Sequence, residues 1–348
     1  MRVVAAMSGG VDSSVTAALL HEQGHEVIGV HMRLHDADPV KKASSSSGFC
    51  CGVDDALDAR SVADRMGIAF HVLDLREAFR RAVMDQLAET YVAGMTPNPC
   101  IQCNGVLKFR VLLERALALG ADALATGHYA RIEQGFLHRA VDTEKDQTYF
   151  LFPLTQKALD HTLFPLGSMP KATVREHARR LGLATADKPE SQEICFIPDQ
   201  DHARFVQEHT GLDGSGDIVD EQGRVLGQHQ GYFRFTVGQR RGLGVAMGHK
   251  VYVKAIEPET RRVVVCAPEG LWHDRLRAGG WVWTRRPEPG ERVLARIRHK
   301  GHMLPARLEG DVVSFEKPAW AVAPGQAVVL YEGERVLGGG WIQEAGDV

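Results

Sequence analysis

At 348 residues the chain exceeds what one compact core usually holds, so two or three domains are expected, each with a well-buried interior. Hydrophobic residues make up 44% and charged residues 24%, with a formal net charge of -3, a globular balance that leaves both RNA and small molecules open as partners. No apolar run approaches the roughly 18 residues of a membrane span, which excludes a spanning helix.

The N-terminus, Met1-Arg2-Val3-Val4-Ala5-Ala6, runs straight into a Gly-rich turn, too short a stretch for a signal peptide. Six cysteines without a leader argue for reduced thiols with chemical roles over a disulfide framework, and for a cytoplasmic protein.

Val3–Met7 reads as an apolar strand, Ser13–Glu22 as a helix with Val15, Ala18 and Leu19 inward, and Val27–Met32 as the next strand. The polar stretch Asp36–Gly52 reads as a surface loop. Asp54–Met66 follows as a helix, Ala69–Leu73 as a strand, Val106–Leu119 as one long helix, Ala121–Thr126 as a buried strand and Lys171–Leu181 as a further helix. This β-α-β rhythm predicts a doubly wound parallel sheet with helices on both faces.

From about Gly211 glycines become frequent, and valines and aromatics alternate with polar residues. Strands near Arg292–Arg298, Ala306–Leu308, Val312–Glu316 and Ala327–Tyr331 suggest a small antiparallel barrel. The expected domains are residues 1–205 (catalytic, α/β), 206–270 (small, mixed) and 271–348 (β-barrel).

Ser8-Gly9-Gly10-Val11-Asp12-Ser13-Ser14 joins the first strand to the first helix. Such a loop offers unpaired backbone N–H groups and the positive end of the helix dipole, a natural anion site. Gly9 and Gly10 let the backbone curl around a phosphate, Ser8, Ser13 and Ser14 add hydroxyl donors, and Asp12 either caps the helix or helps hold magnesium. The Gly-Lys-Ser/Thr ending of a Walker loop is missing, and no G-x-G-x-x-G follows the strand, so a kinase-like or dinucleotide site is disfavoured.

Asn98-Pro99-Cys100-Ile101-Gln102-Cys103 places two thiols in a Pro-punctuated turn before the Val106 helix, where a helix N-terminus favours the thiolate. A single C-x-x-C supplies only half of a structural zinc site. Cys195, between Ile194 and Phe196, and Cys266, in the apolar run Val263–Cys266, read in isolation as buried small hydrophobes; Cys50 and Cys51 receive no role. Between Glu221 and Glu257 there is no acidic residue, yet Arg224, Arg234, Arg240, Arg241, Lys250 and Lys254 occur there, with Tyr232, Phe233 and Phe235 open to packing or stacking. Arg292–Leu308 is a second acid-free stretch, and both suit a polyanionic substrate.

Ser8–Ser13 resembles the PP-loop of the ATP pyrophosphatases. Together with Asn98-Pro99-Cys100-x-x-Cys103-Asn104, Gly127-His128-Tyr129, Lys145-Asp146-Gln147-Thr148-Tyr149-Phe150, Glu193-Ile194-Cys195-Phe196-Ile197, Gly238-Gln239-Arg240-Arg241-Gly242-Leu243-Gly244 and Pro324-Gly325-Gln326, it resembles the tRNA-specific 2-thiouridylase family along nearly the whole chain, in order. That resemblance implies a catalytic domain of the adenine-nucleotide α-hydrolase type. ATP adenylates the C2 oxygen of a wobble uridine, and a sulfur nucleophile displaces AMP. Ala6, Met7, Ser8, Gly9, Gly10, Val11, Asp12, Ser13, Met32 and Gly127 would bind ATP with magnesium. Asn98, Pro99 and Cys100 would approach the target base, and His128, Lys145, Asp146, Gln147, Arg298, His299 and Gln326 would contact tRNA. Cys195 would carry a persulfide supplied by a relay from a cysteine desulfurase, and Cys103 would resolve it through a transient disulfide.

The chain departs at Cys100 from those members of the family that have Asp there. Cys100, Cys103 and Cys195 could therefore instead hold a [4Fe-4S] cluster with one open iron. Two rival readings are a PP-loop ligase acting on a small molecule, which has no use for Cys103 and Cys195, and a non-catalytic nucleotide- or RNA-binding protein, which would tolerate loss of Asp12 or the serines.

Overall fold

The computed structural model describes residues 1–36, 53–189 and 194–346. It divides into two compact units, one comprising 1–83, 100–200 and 334–336, the other 84–99, 201–333 and the chain from 337 on. Cys50, Cys51 and most of the Asp36–Gly52 loop lie outside the described residues.

In the first unit β1 (Arg2–Ala6), β2 (Glu26–Arg33), β3 (Ala69–Asp74), β4 (Ala123–Ala125) and the short strand Thr162–Leu163 form a parallel sheet ordered β3-β2-β1-β4-Thr162–Leu163. Side chains alternate across a strand. Val3, Ala5 and Ala125 accordingly join a core with Val15 and Ala18 of α1 (Val11–Glu22), Ala59 and Val62 of α2 (Val53–Met66), and Val174 and Ala178 of the helix Lys171–Arg180. Val4 and Leu124 point to the other face and are equally buried. Both faces are therefore covered, the condition under which an all-parallel sheet is stable and the reason these strands read as continuous apolar runs. The strand order reverses between β1 and β4, so the crevice at their carboxyl ends is the switch point where open parallel sheets take ligands.

The single helix expected over Val106–Leu119 is different in kind. Helix begins at Pro99, runs as a π-helix over Cys103–Leu112, and returns to α over Leu113–Ala118. A second helical run, Arg76–Phe79, Arg80–Asp85 and Gln86–Val92, and a hairpin, Ala130–Glu133 with Phe136–Arg139, were not expected from the sequence.

In the second unit a helix, His202–Thr210, is capped by the Asp201 carboxylate and ended by the left-handed Gly211. A mixed four-stranded sheet follows, Tyr252–Glu257, Arg262–Cys266, Gly216–Asp220 and Val225–His229, with the middle pair parallel. The end of the chain is a closed antiparallel barrel of six strands: Trp272–Trp283, Val312–Trp320, Leu304–Glu309, Arg292–Arg296, Ala327–Glu332 and Arg335–Ala345, the last pairing back to the first. Close approach at the closure depends on glycine: a Cβ on Gly280 would touch the Trp341 ring at 3.1 Å, and one on Gly340 the Trp281 ring at 2.8 Å.

Candidate functional site

The phosphate loop is held by its own serines. Gly10, with extended φ and ψ, ends the loop, and its carbonyl accepts the Ser13 hydroxyl at 3.1 Å and the Ser14 hydroxyl at 2.9 Å, while Ser13 Oγ also accepts the Ser8 N–H at 3.1 Å. Gly9 takes φ +78°, and a Cβ there would lie 2.3 Å from the Asp55 carbonyl, so the loop is pressed against the first turn of α2. Gly127, just past β4, packs on the Asp12–Ser13 peptide, where a Cβ would come within 2.8 Å of the Asp12 carbonyl carbon. The loop thus lies at the switch point, walled by Gly127. Met7 N–H donates to the Val30 carbonyl, and buried His31 donates from Nδ1 to the Met7 carbonyl at 2.9 Å. Met32 is buried two residues beyond Val30, and Ala6 ends β1.

Asp12 does not cap α1. Its carboxylate accepts the Lys171 ammonium on both oxygens, at 2.7 and 2.8 Å, and the Tyr129 hydroxyl at 2.9 Å. Across the loop Lys188 donates to the Gly9 carbonyl at 3.0 Å, to Asp55 at 2.7 Å and to Asp58 at 2.6 Å. Neither lysine was picked out from the sequence. They stand 159 and 179 residues from their loop partners, and no local spacing marks them.

Cys103 stands in the second turn of the helix that begins at Pro99, not at its N-terminus, and burial raises its thiol pKa, opposed by the charge of Lys108. Desolvation of the thiolate thus opposes the expected N-terminal lowering, and the helix end lies at exposed Cys100. Lys108 lies five residues on, about 140° around an α-helix but turned much less far from Cys103 in the wider π-helix, whose bonds span five residues. It donates to His128 Nε2 at 3.4 Å, and the other ring nitrogen faces Thr126 Oγ1 at 2.7 Å, which fixes Nδ1 as the protonated one. Burial, with Lys108, holds His128 well below the usual histidine range and therefore neutral.

Half-exposed Cys195 occupies a turn followed by Phe196, whose ring packs edge-on against Phe79 at 5.2 Å, and by buried Ile197. The Phe79 helix also packs on the helical segment carrying Cys103, so both thiols belong to segments flanking one short helix. Among the described residues no three Cys, His, Asp or Glu side chains group closely enough to hold a metal ion. Cys100, Cys103 and Cys195, all described, do not come together as such a group. Cys266 is a buried hydrophobe, its thiol pushed up to about 11 chiefly by burial.

Of the residues expected to meet tRNA, Asp146 is fully buried, accepting the Thr148 hydroxyl at 2.9 Å and pairing with Arg139. Gln147 accepts the Tyr129 N–H, and Lys145 beside it is half-exposed. In the second unit the Gln326 amide donates to the carbonyls of Thr96 and Pro97, at 3.0 and 3.2 Å, and Gly325 makes room for the Thr96 backbone. This cradle holds the chain just before Asn98 and Pro99. Arg298 bonds the Ala321 carbonyl and covers the Trp320 ring, and His299 is half-buried beside it. Tyr232, Phe233 and Phe235 are buried, so they pack and do not stack on bases. Arg224 and Lys254 are paired with Asp220 and Glu221, whereas Arg240, Arg241 and Lys250 are exposed.

Family profiles match in chain order: one described as the tRNA methyl transferase HUP domain over residues 1–199, its PRC-barrel domain over 203–267, and an aminomethyltransferase beta-barrel domain over 273–342. A tRNA-specific 2-thiouridylase MnmA of Geobacter metallireducens is 50% identical, covering 99% of this chain and 97% of the relative. The chain belongs to the tRNA-specific 2-thiouridylase family. Family members named alike from Geotalea uraniireducens, 47% identical with 99% and 95% covered, and Carboxydothermus hydrogenoformans, 48% identical with 99% and 98% covered, agree with it in length. A crystallised 4-thiouridine synthetase bound to RNA and ATP shares 15% identity with this family member at a TM-score of 0.38, covering 60% of this chain and 50% of that one, too distant a likeness to argue from. No described helix is long and apolar enough to cross a membrane.

Proposed function

We propose that this chain is an ATP-dependent tRNA-uridine 2-sulfurtransferase acting on the wobble position, built as a catalytic domain over 1–205, a small domain over 206–270 and a barrel over 271–348. The observation that carries the reading is a phosphate loop at the sheet's switch point in the same unit as Cys103 and Cys195, in a chain about half identical end to end to 2-thiouridylases. The C2 oxygen of the uridine attacks the α-phosphorus of ATP, the bond to the β-phosphate breaks, and pyrophosphate leaves. The loop N–H groups and the α1 dipole stabilise the charge that develops on it. Asp12, a hard oxygen donor at the loop, fits magnesium carried in with ATP, which supplies further charge neutralisation.

Adenylation makes the oxygen a leaving group. Cys195 holds the incoming sulfur as a persulfide delivered from a cysteine desulfurase relay. The Cys103 thiolate attacks the Cys195 sulfur, forming the Cys103–Cys195 disulfide and expelling hydrosulfide. Hydrosulfide adds at C2, AMP departs with the oxygen, and an external dithiol reduces the disulfide. Asn98, Pro99 and Cys100 approach the splayed base, with His128, Lys145, Arg298 and His299 on neighbouring nucleotides and Gln326 acting through the Thr96–Pro97 backbone. A soluble cytoplasmic location accords with this substrate.

The test is incubation with unmodified tRNA, ATP, magnesium and a sulfur donor, followed by nucleoside analysis. Formation of 2-thiouridine with AMP is expected; the absence of both discards the reading. A fully active, iron-free preparation is the companion result, and activity that requires iron and labile sulfide would restore the cluster route.

A further inference from the structure

Among the described residues, the ammonium of half-buried Lys108 has a single hydrogen-bond partner, His128 Nε2 at 3.4 Å, and no carboxylate pairs with it. A cation drawn partly out of water without a counter-charge costs stability, which points to a role beyond packing. Its holder is itself fixed. The His128 ring stands against Phe109 at 5.7 Å and Phe164 at 6.0 Å, and its Nδ1–H donates to Thr126 Oγ1, so Nε2 is left as the acceptor that faces Lys108. Both ring nitrogens are occupied, and His128 is therefore not the base that takes a proton from a neighbouring thiol.

Cys103 opens the π-helix Cys103–Leu112, whose bonds span five residues, so Cys103 and Lys108 stand one helical turn apart. Burial works against the Cys103 thiolate and the Lys108 charge works for it. Other charges on this helix and on the elements packed against it are engaged elsewhere or face water. Arg76 pairs with Asp74 and Asp36, Glu77 with Arg80 and Arg81, and Arg110, Glu114 and Arg115 are exposed.

We propose that Lys108 is a positioning residue for the sulfur step: held by His128 one π turn from Cys103, its ammonium is the counter-ion of the Cys103 thiolate. Cys103 loses its proton to solvent, and the thiolate attacks the Cys195 sulfur of the persulfide. The Cys103–Cys195 bond forms as the S–S bond of the persulfide breaks, and the electron pair leaves with hydrosulfide. Lys108 gives up no proton, and its charge is released when Cys103 enters the disulfide. The inference rests on the sulfur path above and adds the group that activates its nucleophile.

Cys103 is half-exposed, so a small electrophile can report on it. The reduced full chain is treated with iodoacetamide from about pH 7 to 10, and alkylation at Cys103 and at exposed Cys100 is read by peptide mass spectrometry. Lys108→Gln keeps a donor for His128 and removes the charge, whereas Lys108→Arg keeps the charge. Alkylation of Cys103 near pH 8 is expected to fall about three- to tenfold in Lys108→Gln and to stay within about twofold in Lys108→Arg, with Cys100 unchanged in both. Formation of 2-thiouridine by Lys108→Gln should be slow near neutral pH and recover as pH rises, with affinity for α,β-methylene-ATP unchanged.

Cys103 alkylation that is unchanged or faster in Lys108→Gln, or that falls equally in Lys108→Arg, overturns the proposal. So does weakened tRNA binding by Lys108→Gln with alkylation unchanged, which makes Lys108 a phosphate contact. The glutamine change strands no carboxylate, so a Lys108→Gln chain that fails to fold in thermal melting makes Lys108 a structural support and also overturns it. Alkylation needs neither tRNA nor ATP: the expected loss at Cys103, in a protein whose wild type makes no 2-thiouridine, supports the Lys108–Cys103 pairing and overturns the sulfur path instead.

Discussion

Gly127→Ala separates a phosphate site from a merely tight turn. Gly127 does not have a left-handed φ, so alanine brings no backbone strain and should even gain about 0.4–1 kcal/mol from a less flexible unfolded chain. The added methyl nevertheless lies 2.8 Å from the Asp12 carbonyl carbon and 2.9 Å from the Ser13 nitrogen, both backbone atoms that cannot rotate away. Reaching an ordinary contact of about 3.5 Å requires the end of β4 and the start of α1 to part by about 0.7 Å. Overpacking of this kind costs about 1–3 kcal/mol, leaving a net destabilisation of about 1–2 kcal/mol in urea unfolding. The peptide that moves carries the Ser13 N–H, so one charge-assisted hydrogen bond to phosphate should be lost, a fall in ATP affinity of about 10- to 100-fold. Gly10→Ala is the control: Gly10 has φ -96°, and its Cβ would find only Ser8 Oγ, at 3.7 Å, so stability should rise by about 0.4–1 kcal/mol. Wild-type ATP affinity and stability in Gly127→Ala would refute the packing argument.

Cys103→Ser and Cys195→Ser should each abolish 2-thiouridine formation while leaving ATP affinity intact; thiolation at the wild-type rate in either removes that residue from the sulfur path. Gln326→Ala removes the donor to the Thr96 and Pro97 carbonyls and should lower thiolation several-fold with ATP affinity unchanged, read by nucleoside analysis beside ATP titration, and an unaffected rate would show that the cradle is dispensable. Burial lowers the pKa of His31 and His128, so the folded chain resists protons that the unfolded chain accepts near pH 6.5. Stability is thus full above that pH and falls as pH drops through it, at up to about 1.4 kcal/mol per unit for each residue. Urea midpoints from pH 7.5 to 5.5 should decline, and a flat or rising series contradicts the assignment.

The first unit was legible wherever a signal is local. The run Val3–Ala6, the Gly-rich loop and Gly127 after Ala121–Thr126 sufficed to set the phosphate site at the end of a buried strand, because apolar strands and glycine turns announce themselves within a few residues. Lys171 and Lys188 were invisible because their partners are set by topology. The barrel strands Trp272–Trp283 and Arg335–Ala345 were missed because Gly279-Gly280 and Gly338-Gly339-Gly340 look like breakers; in the fold they are the gaps that admit Trp281 and Trp341 at the closure. The helix His202–Thr210 did carry its signal, Asp201 before it and Gly211 after it, and this pair was overlooked. The π-helical register was beyond reach, since hydrophobic spacing over Val106–Leu119 suits an α-helix equally well, and the register alone decides whether Lys108 lies near Cys103.

The supports of the phosphate loop have a consequence for how the protein is made. Ser8–Ser14 leaves the ribosome before Asp55, Gly127, Lys171 and Lys188, which wall and clamp it and are translated progressively later. A nascent chain that has not yet extruded Lys188 carries the whole motif without the clamp that shapes it. Competence for nucleotide therefore arrives late in the synthesis of the catalytic half, when the sheet, the Gly127 wall and both lysines are present together.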